Sequence, residues 1–176
     1  MDSSDSEIVF DKNGVCDHCL GFDKDVQPYW HPDERGAEII SRTVARIKDS
    51  GKGNLFDCVI GLSGGLDSSY LLHLVVRELG LRPLVFHVDA GWNTDIAANN
   101  VQVMVDKLEL DLYTEVINWE EMKDLQIAFL RSQIPDQDLP QDAAFFSSLY
   151  KFARKYKIKT IITGSNFSTE CFREPE

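Results

Sequence analysis

Residues 57–69 read DCVIGLSGGLDSS, a short apolar run that leads into a turn rich in glycine and serine. The residues that follow, 70–76, are mostly apolar and are typical of a buried helix. Glycine lets the backbone approach a ligand closely, and the free N–H groups at the start of a helix attract anions. The stretch therefore predicts a strand, an anion-binding turn and a helix in succession.

Strand and helix patterns alternate along the rest of the chain. Further strands are predicted at residues 84–88, 112–117 and 160–163, with helical patterns between them. This alternation indicates an α/β fold, a parallel sheet with right-handed crossovers and helices on both faces. Ligands of such folds bind beyond the carboxyl ends of the strands, where the turn at 63–69 and the segment 89–92 are expected to lie.

Helix boundaries can be predicted from spacing and capping residues. Ile40, Val44 and Ile47 recur at helical spacing and predict one buried face of an early helix. Thr94 is a predicted N-cap, and Asp142 is the predicted N-cap of the last helix.

Composition limits the classes of function. The chain has 176 residues, of which 43% are hydrophobic, which is enough for a real core. Its net charge of −11 disfavours a general nucleic-acid surface. No apolar run is long enough to span a membrane, and the first residues are acidic where a signal peptide would be basic. We therefore expect a cytoplasmic protein.

The segment 1–53 is predicted to be an N-terminal appendage, with a main domain at 54–176. The appendage contains a possible short strand at residues 8–10 and a Cys-x-x-Cys pair, Cys16 and Cys19. This spacing is that of half a zinc site, and a reduced, solvent-facing turn is the other interpretation. Cys58 is predicted to be a small core residue.

Three known motifs can be compared with the turn. A Walker A loop requires a lysine that this turn lacks, and the dinucleotide fingerprint does not match. The spacing of Gly61, Ser63 and Gly65 matches the nucleophile elbow of α/β-hydrolases. That elbow needs a histidine in a late loop, but the histidines after Ser63 are His73, in a helix pattern, and His87, in a strand pattern. The hydrolase interpretation is therefore disfavoured.

The sequence SGGLDSS at residues 63–69 closely resembles the loop of the PP-loop ATP pyrophosphatases. That group includes NAD and GMP synthetases, asparagine synthetase and tRNA-thiolating enzymes. The resemblance implies an adenine-nucleotide α-hydrolase-like fold, cleavage of ATP to AMP and pyrophosphate, and transfer of AMP to a substrate oxygen. The ATP-binding residues that it implies are Ser63, Gly64, Gly65, Leu66, Asp67, Ser68, Ser69, Val88, Asp89 and Gly164.

The same resemblance implies a magnesium ion that bridges oxygens of the pyrophosphate. Asp67 and Glu170 are its implied ligands, and Asp67 is a predicted catalytic residue. Asp142 is the second predicted catalytic residue, because its loop, which also carries Asp136 and Asp138, precedes a helix directed at the same sheet edge. An N-cap without a chemical role is the alternative for Asp142.

Taken whole, the chain most resembles the bacterial N-acetyl sugar amidotransferases of lipopolysaccharide and surface-polysaccharide biosynthesis. The resemblance is carried by residues 10–19, 63–69, 88–93, 134–142 and 163–166. It implies that ATP adenylates the acetamido group of a sugar and that ammonia from a separate glutaminase partner replaces AMP, leaving an acetamidino group. Such relatives continue beyond the fourth strand, so we expect a C-terminally truncated domain with impaired activity.

Two alternatives remain at this stage. One is another PP-loop enzyme, either NAD synthetase-like or tRNA-thiolating. The other is a nucleotide-binding module without chemistry.

Overall fold

The computed structural model describes residues 5–134 and 136–165. The chain divides into two compact units, Met1–Ala45 and Arg46–Glu176. The domain boundary predicted between residues 53 and 54 stays a prediction. No helix in the described ranges is both long and apolar enough to cross a membrane.

The first unit contains short helical turns and the start of a longer helix. Helix α1 spans Asp17–Gly21 and is followed by a π-helical turn, Phe22–Val26, and a 3-10 turn, Gln27–Tyr29. Helix α2, Glu34–Ser50, then continues across the division between the units.

The strand predicted at residues 8–10 is wrong. Phe10 makes only an isolated antiparallel bridge to Cys16. The chain between them is a tight turn, in which the Asp11 carboxylate accepts hydrogen bonds from the N–H groups of Asn13 and Val15 at 2.8 and 2.9 Å. This local bonding turns the chain before a strand can extend.

The early helix is confirmed, but its predicted buried face is only partly present. Ile47 is buried and Val44 half-buried, whereas Ile40 is 52% exposed. Helical spacing predicts an amphipathic helix, but it does not tell which turns of that helix meet a packing partner.

Four parallel strands form the sheet of the second unit. They are β1 Cys58–Gly61, β2 Pro83–Asp89, β3 Leu112–Val116 and β4 Ile161–Ile162, arranged in the order β3-β2-β1-β4. The registers place Val59 beside Leu84 and Ile161. The predicted α/β fold with a parallel sheet is confirmed.

The helices of this unit connect the strands. Helix α3, Leu66–His73, is prolonged by a π-helical turn, Leu74–Glu78, and α4 spans Asp95–Leu108. Helices α5, Trp119–Ser132, and α6, Leu139–Lys155, lie between β3 and β4 in the chain.

The predicted caps have different outcomes. Thr94 is confirmed as the N-cap of α4, because its side chain accepts a hydrogen bond from the Ala97 N–H. Asp142 is not an N-cap: α6 begins at Leu139, and Asp142 lies in its first turn. The earlier start follows from Pro140, because proline fits the first turn of a helix.

The core is built from alternate residues of the central strands. Val59, Leu84 and Phe86 pack with Leu149 and Phe152 of α6 in one cluster. Side chains alternate along a strand, so Cys58, Ile60 and Val85, which are also fully buried, face the opposite side of the sheet. Both faces of the sheet are therefore covered.

Cys58 is confirmed as a core residue. Its side chain is completely buried, and this burial, with a smaller effect of the neighbouring Asp57 charge, raises the pKa of the thiol to about 12. The thiol is therefore protonated and inert at neutral pH.

An ion pair between a buried carboxylate and a half-exposed arginine lies just before β1. Asp57, only 4% exposed, accepts hydrogen bonds from the backbone N–H and the guanidinium of Arg82, the shortest of them 2.6 Å long. Arg82 also donates to the Gly51 carbonyl at 3.3 Å. Burial acts to raise the pKa of Asp57, but the hydrogen bonds and charge of Arg82 outweigh it, and the net shift is downward.

The strand order locates the site. The chain moves from β1 to β2 and β3 on one side, then returns to place β4 on the other side of β1. A crevice forms where the connections that leave two neighbouring strands run in opposite directions, and here it lies at the carboxyl end of β1. The turn 63–69 opens there.

Candidate active site

A cavity of about 730 Å³ lies at the carboxyl edge of the sheet. We call it the loop cavity. The turn after β1, the end of β2, the first half of α6 and the turn after β4 contribute its walls. The residues that line it are Gly61, Leu62, Ser63, Gly65, Leu66, Asp67, Ser68, Phe86, His87, Val88, Asn93, Asp142, Phe145, Phe146, Leu149, Thr163, Gly164 and Ser165.

The turn is held in shape by its two serines. The Ser63 N–H donates to Ser68 Oγ at 3.2 Å, and the two hydroxyl oxygens are 3.0 Å apart. Ser63 Oγ also accepts from the Gly65 N–H at 3.3 Å. The hydrogen bonds of these serines go to each other and to the turn, whereas those of His87, the histidine in the cavity lining, go to Leu62 and Asn93. The serines are therefore suited to donate hydrogen bonds to a ligand rather than to act as nucleophiles.

Gly64 lets this turn pass close to α4. Its φ of +82° is in the left-handed region, and an added Cβ would lie 2.3 Å from the Ala97 carbonyl oxygen. The Gly64 carbonyl accepts a hydrogen bond from the side chain of Asn100 at 3.0 Å. The turn therefore contacts α4 through Gly64, while Ser63 and Gly65 line the cavity.

The start of α3 forms part of the cavity wall, with Gly65, Leu66 and Asp67 in the lining. Gly65 is the N-cap, and it offers no side chain to these groups. The first N–H groups of a helix have no partner within the helix, so they are available to an anion. Together with the hydroxyls of Ser63 and Ser68, they make a group of donors that could bind a phosphate or a similar anion, and we call this group the anion cradle.

Asp67 lies in the first turn of α3 and lines the cavity. It is exposed, and within the described ranges no hydrogen bond or ion pair holds its carboxylate. Magnesium in nucleotide sites is held by one or two carboxylates together with phosphate oxygens. Asp67 fits that use, although the described residues contain no group of three or more acidic, histidine or cysteine side chains placed to hold a metal alone.

The turn after β4 closes the cavity beside this helix start. An added Cβ on Gly164 would lie 3.3 Å from the backbone of Asp67 and Ser68, so the two segments are in close contact. The predicted magnesium ligand Glu170 lies outside the described residues, and its role stays a prediction.

The structure brings together most of the residues predicted to bind ATP. Ser63, Gly65, Leu66, Asp67, Ser68, Val88 and Gly164 line the loop cavity.

Three of the residues predicted to bind ATP do not line the loop cavity. Gly64 supports the turn from behind, Ser69 donates its N–H to the Gly65 carbonyl, and the Asp89 carboxylate accepts from the Gly91 N–H at 2.9 Å. Direct contacts of these three with a nucleotide stay predictions.

His87 and Asn93 are site residues that the sequence analysis missed. His87 is buried, and its Nδ1 lies 2.7 Å from the Leu62 carbonyl oxygen. A carbonyl can only accept, so Nδ1 carries the proton and Nε2 accepts from the Asn93 amide at 3.0 Å. His87 thus links the residue before the turn to the segment after β2.

His87 is the polar residue in the otherwise apolar run 84–88, and this position was the signal in the sequence for its linking role. A histidine in a strand buried on both faces needs hydrogen-bond partners.

Asp142 faces the cavity from the first turn of α6. The residue as a whole is exposed, but its carboxyl is partly desolvated, and this effect, followed by the negative charges of Asp138 and Asp136, raises its pKa. A carboxylate with a raised pKa is a better proton acceptor than an ordinary aspartate. Asp67 and Asp142, the two predicted catalytic residues, therefore line the same cavity.

Cys16 and Cys19 belong to the other unit. Their sulfur atoms are 3.5 Å apart, and the pKa of Cys16 is lowered, chiefly by the backbone N–H of Cys19. The described residues supply no further ligand beside this pair. A zinc ion at Cys16 and Cys19 stays a prediction.

No protein-family profile and no curated protein sequence matches the chain. Similar solved structures exist. The NH3-dependent NAD synthetase from Campylobacter jejuni, solved with a nitrate ion, is 20% identical with a TM-score of 0.51 over 74% of this chain and 57% of that one. An NMN synthetase from Francisella tularensis is 24% identical, with a TM-score of 0.51 over 74% and 55%.

A third similar structure is the glutamine-dependent NAD+ synthetase from Acinetobacter baumannii, solved with ADP. It is 17% identical, with a TM-score of 0.55 over 71% of this chain and 24% of that one. The chain thus spans little more than half of the first two proteins and about a quarter of the third. At these identities the likeness concerns the fold, and the chain has the fold seen in the NAD synthetase structures.

Proposed function

We propose that the second unit is an ATP pyrophosphatase of the PP-loop kind. It transfers AMP to an oxygen of an acceptor, and ammonia then displaces AMP together with that oxygen. The observation that carries the proposal is the anion cradle of the turn 63–69, beside the carboxylate of Asp67, with which no described residue pairs. The fold shared with NAD synthetases supports it.

In this proposal the loop cavity holds ATP with its pyrophosphate portion in the cradle. The N–H groups of the first turn of α3 and the hydroxyls of Ser63 and Ser68 stabilise the charge that develops on the leaving pyrophosphate. Asp67, with Glu170 as the expected second ligand, would hold magnesium, whose positive charge would further stabilise the leaving pyrophosphate. The phenyl rings of Phe145 and Phe146 give the cavity an apolar wall on the α6 side.

The reaction has two steps. An acceptor oxygen attacks the α-phosphorus of ATP, and pyrophosphate leaves. The lone pair of ammonia then attacks the acceptor carbon, the C–O bond breaks, and AMP leaves with that oxygen. Asp142 takes a proton from the attacking nitrogen, for which its raised pKa is suited.

Two acceptor classes are proposed. A carboxylate, which would become an amide, is supported by the fold shared with the NAD synthetases. An acetamido sugar, which would become an acetamidino sugar, is supported by the sequence resemblance. In the second case the product would serve lipopolysaccharide or a related glycan. Ammonia is proposed to come from a glutaminase partner.

The experiment supplies ATP, magnesium and isotopically labelled ammonia with either nicotinic acid adenine dinucleotide or an N-acetyl sugar nucleotide. Pyrophosphate release and nitrogen incorporation are measured by enzymatic coupling and mass spectrometry. Release that depends on ammonia and acceptor, and is lost in Asp67→Ala, supports the proposal. ATP binding without pyrophosphate release above background, unchanged by Asp67→Ala, would point to a binding module instead.

A further inference from the structure

The Cys-x-x-Cys pair of the first unit has no role in the proposed reaction. Both cysteines are free thiols, and their sulfur atoms lie 3.5 Å apart, close enough for one thiol to donate a hydrogen bond to the other. Cys16 is only 5% exposed, whereas Cys19 is exposed. One thiol is therefore shielded from solvent, while the other can meet a reagent from solution.

The start of α1 brings the two sulfur atoms together. Cys16 has an extended backbone conformation and is the last residue before α1, which begins at Asp17. Cys19 follows Cys16 by three residues, which is about one helical turn, and side chains at that spacing lie on the same side of a helix. The short distance between the two thiols is thus set by the local fold.

Backbone hydrogen bonds on both sides of Cys16 fix its position. The Val15 carbonyl accepts a hydrogen bond from the Asp11 N–H at 2.9 Å, and the Asp17 N–H donates to the Val9 carbonyl at 2.8 Å. The tight turn described above lies between these two bonds in the fold. Cys16 is therefore held in place by the chain itself.

The described surroundings of the pair fit a dithiol better than a closed zinc site. Two thiolates supply half of the four ligands that a structural zinc ion needs. The neighbouring His18 is already engaged, because its Nε2 lies 2.7 Å from a carboxylate oxygen of Asp5. In the ranges 5–134 and 136–165, no group of three or more histidine, cysteine or acidic side chains is placed to hold a metal ion.

We propose that Cys16 and Cys19 form a reversible intramolecular disulfide by exchange with a low-molecular-weight disulfide such as glutathione disulfide. The thiolate of the exposed Cys19 attacks one sulfur of glutathione disulfide, the S–S bond breaks, and a glutathione thiolate leaves. The Cys16 thiolate then attacks Cys19 Sγ and releases the second glutathione. The two protons lost by the cysteines go to the two glutathione thiolates, so the cysteine pair is oxidised and glutathione disulfide is reduced.

The fold should favour closure of this disulfide. Because the thiols are 3.5 Å apart and a disulfide bond is about 2.0 Å long, the second step needs only a small approach. In the unfolded chain the same two thiols have to meet from many conformations, and closing that loop costs entropy. The folded pair should therefore be oxidised by a smaller proportion of glutathione disulfide than the unfolded pair.

The test equilibrates the full chain with mixtures of oxidised and reduced glutathione and then blocks the remaining thiols by alkylation. Mass spectrometry of peptides locates the disulfide. We expect the peptide with Cys16 and Cys19 to lose two hydrogen atoms. Half-conversion should need at least about tenfold less glutathione disulfide in the folded chain than in urea, because the fold raises the effective concentration of one thiol beside the other. Cys58, which is completely buried, should stay reduced in the folded chain.

Single variants test the order of the two steps. Cys16→Ser keeps the exposed thiol and should accumulate a mixed disulfide between Cys19 and glutathione, since no second thiol resolves it. Cys19→Ser keeps the buried thiol, which should react at least about tenfold more slowly with glutathione disulfide. Cys58→Ala, in the other unit, is the matched control and should be oxidised as the wild type is.

Three outcomes would overturn the proposal. The folded pair could need as much glutathione disulfide as the unfolded pair, or Cys16 and Cys19 could be oxidised only in bonds to other chains. The third is a zinc ion, one for each chain, that is lost in Cys16→Ser and protects both thiols from oxidation in the wild type. The pair and the loop cavity belong to different units, so this inference does not depend on the proposed function.

Discussion

Replacing His87 with phenylalanine keeps a buried ring and removes two hydrogen bonds. The Leu62 carbonyl loses its donor at 2.7 Å, and the Asn93 amide loses its acceptor at 3.0 Å. A buried polar group left without its partner costs about 1–3 kcal/mol, and a partly exposed bond contributes about 0.5–1.5 kcal/mol. We therefore expect His87→Phe to lower the free energy of unfolding by about 2–4 kcal/mol.

The same substitution should weaken nucleotide binding. Leu62 immediately precedes the turn, so loss of the His87 bond loosens the chain just before the turn. We expect the dissociation constant for ATP with magnesium to rise by about tenfold or more, which corresponds to about 1.4 kcal/mol. Urea unfolding and calorimetric titration measure the two effects.

Two polar variants separate the roles of the ring nitrogens. In His87→Asn the side-chain amide reaches the position of Nδ1 and can still donate to Leu62, so nucleotide affinity should stay near that of the wild type. In His87→Gln the side chain reaches the position of Nε2 and can still pair with Asn93, so affinity should fall. His73→Phe, at an exposed histidine, is the control. If His87→Phe unfolds and binds ATP as the wild type does, the assigned hydrogen bonds are unimportant and the reasoning is refuted.

Three other predictions follow from described contacts. Gly64→Ala should cost at least about 2 kcal/mol in urea unfolding, because its φ is +82° and its Cβ would strike the α4 backbone; Gly61→Ala, with open space, should cost little. Arg82→Met should cost about 2 kcal/mol at neutral pH, because the buried Asp57 carboxylate keeps the hydrogen bond from the backbone N–H of residue 82 but loses the guanidinium. Because Arg82 depresses the pKa of Asp57, the difference in free energy of unfolding between the two proteins should vanish as the pH falls below 3.8 and the carboxyl protonates. A difference that stays constant with pH would contradict this role of Arg82. Asp142→Asn should slow amide or amidine formation by about a hundredfold. In the wild type this rate should fall as the pH is lowered, and the fall should begin at a higher pH than for an ordinary aspartate, because the pKa of Asp142 is raised. Equal rates in the wild type and in Asp142→Asn would exclude a base role.

The strands, and the turn between β1 and α3, could be predicted because their signals are local. Apolar runs mark β1 to β4, and the glycines and serines of 63–69 mark the turn whatever packs around it. The presence of Asp67 and Asp142 in one cavity was also predictable, since the carboxyl ends of parallel strands meet at one edge.

The contacts that depend on partners distant in the chain could not be predicted. His87 bonds to Leu62 across two strands, and the spacing of the sequence gives no sign of that pairing. The exposure of Ile40 depends on which turns of α2 are covered, and the start of α6 depends on Pro140 occupying its first turn.

The hydrogen bonds that join Leu62, His87 and Asn93 have a thermodynamic consequence. They connect the chain before the turn to the segment after β2, and all three residues line the loop cavity. A ligand that orders one end of this connection also restricts the other end. We therefore expect two ligands at the two ends of the loop cavity to bind with positive cooperativity, and each must then raise the affinity of the other by the same factor.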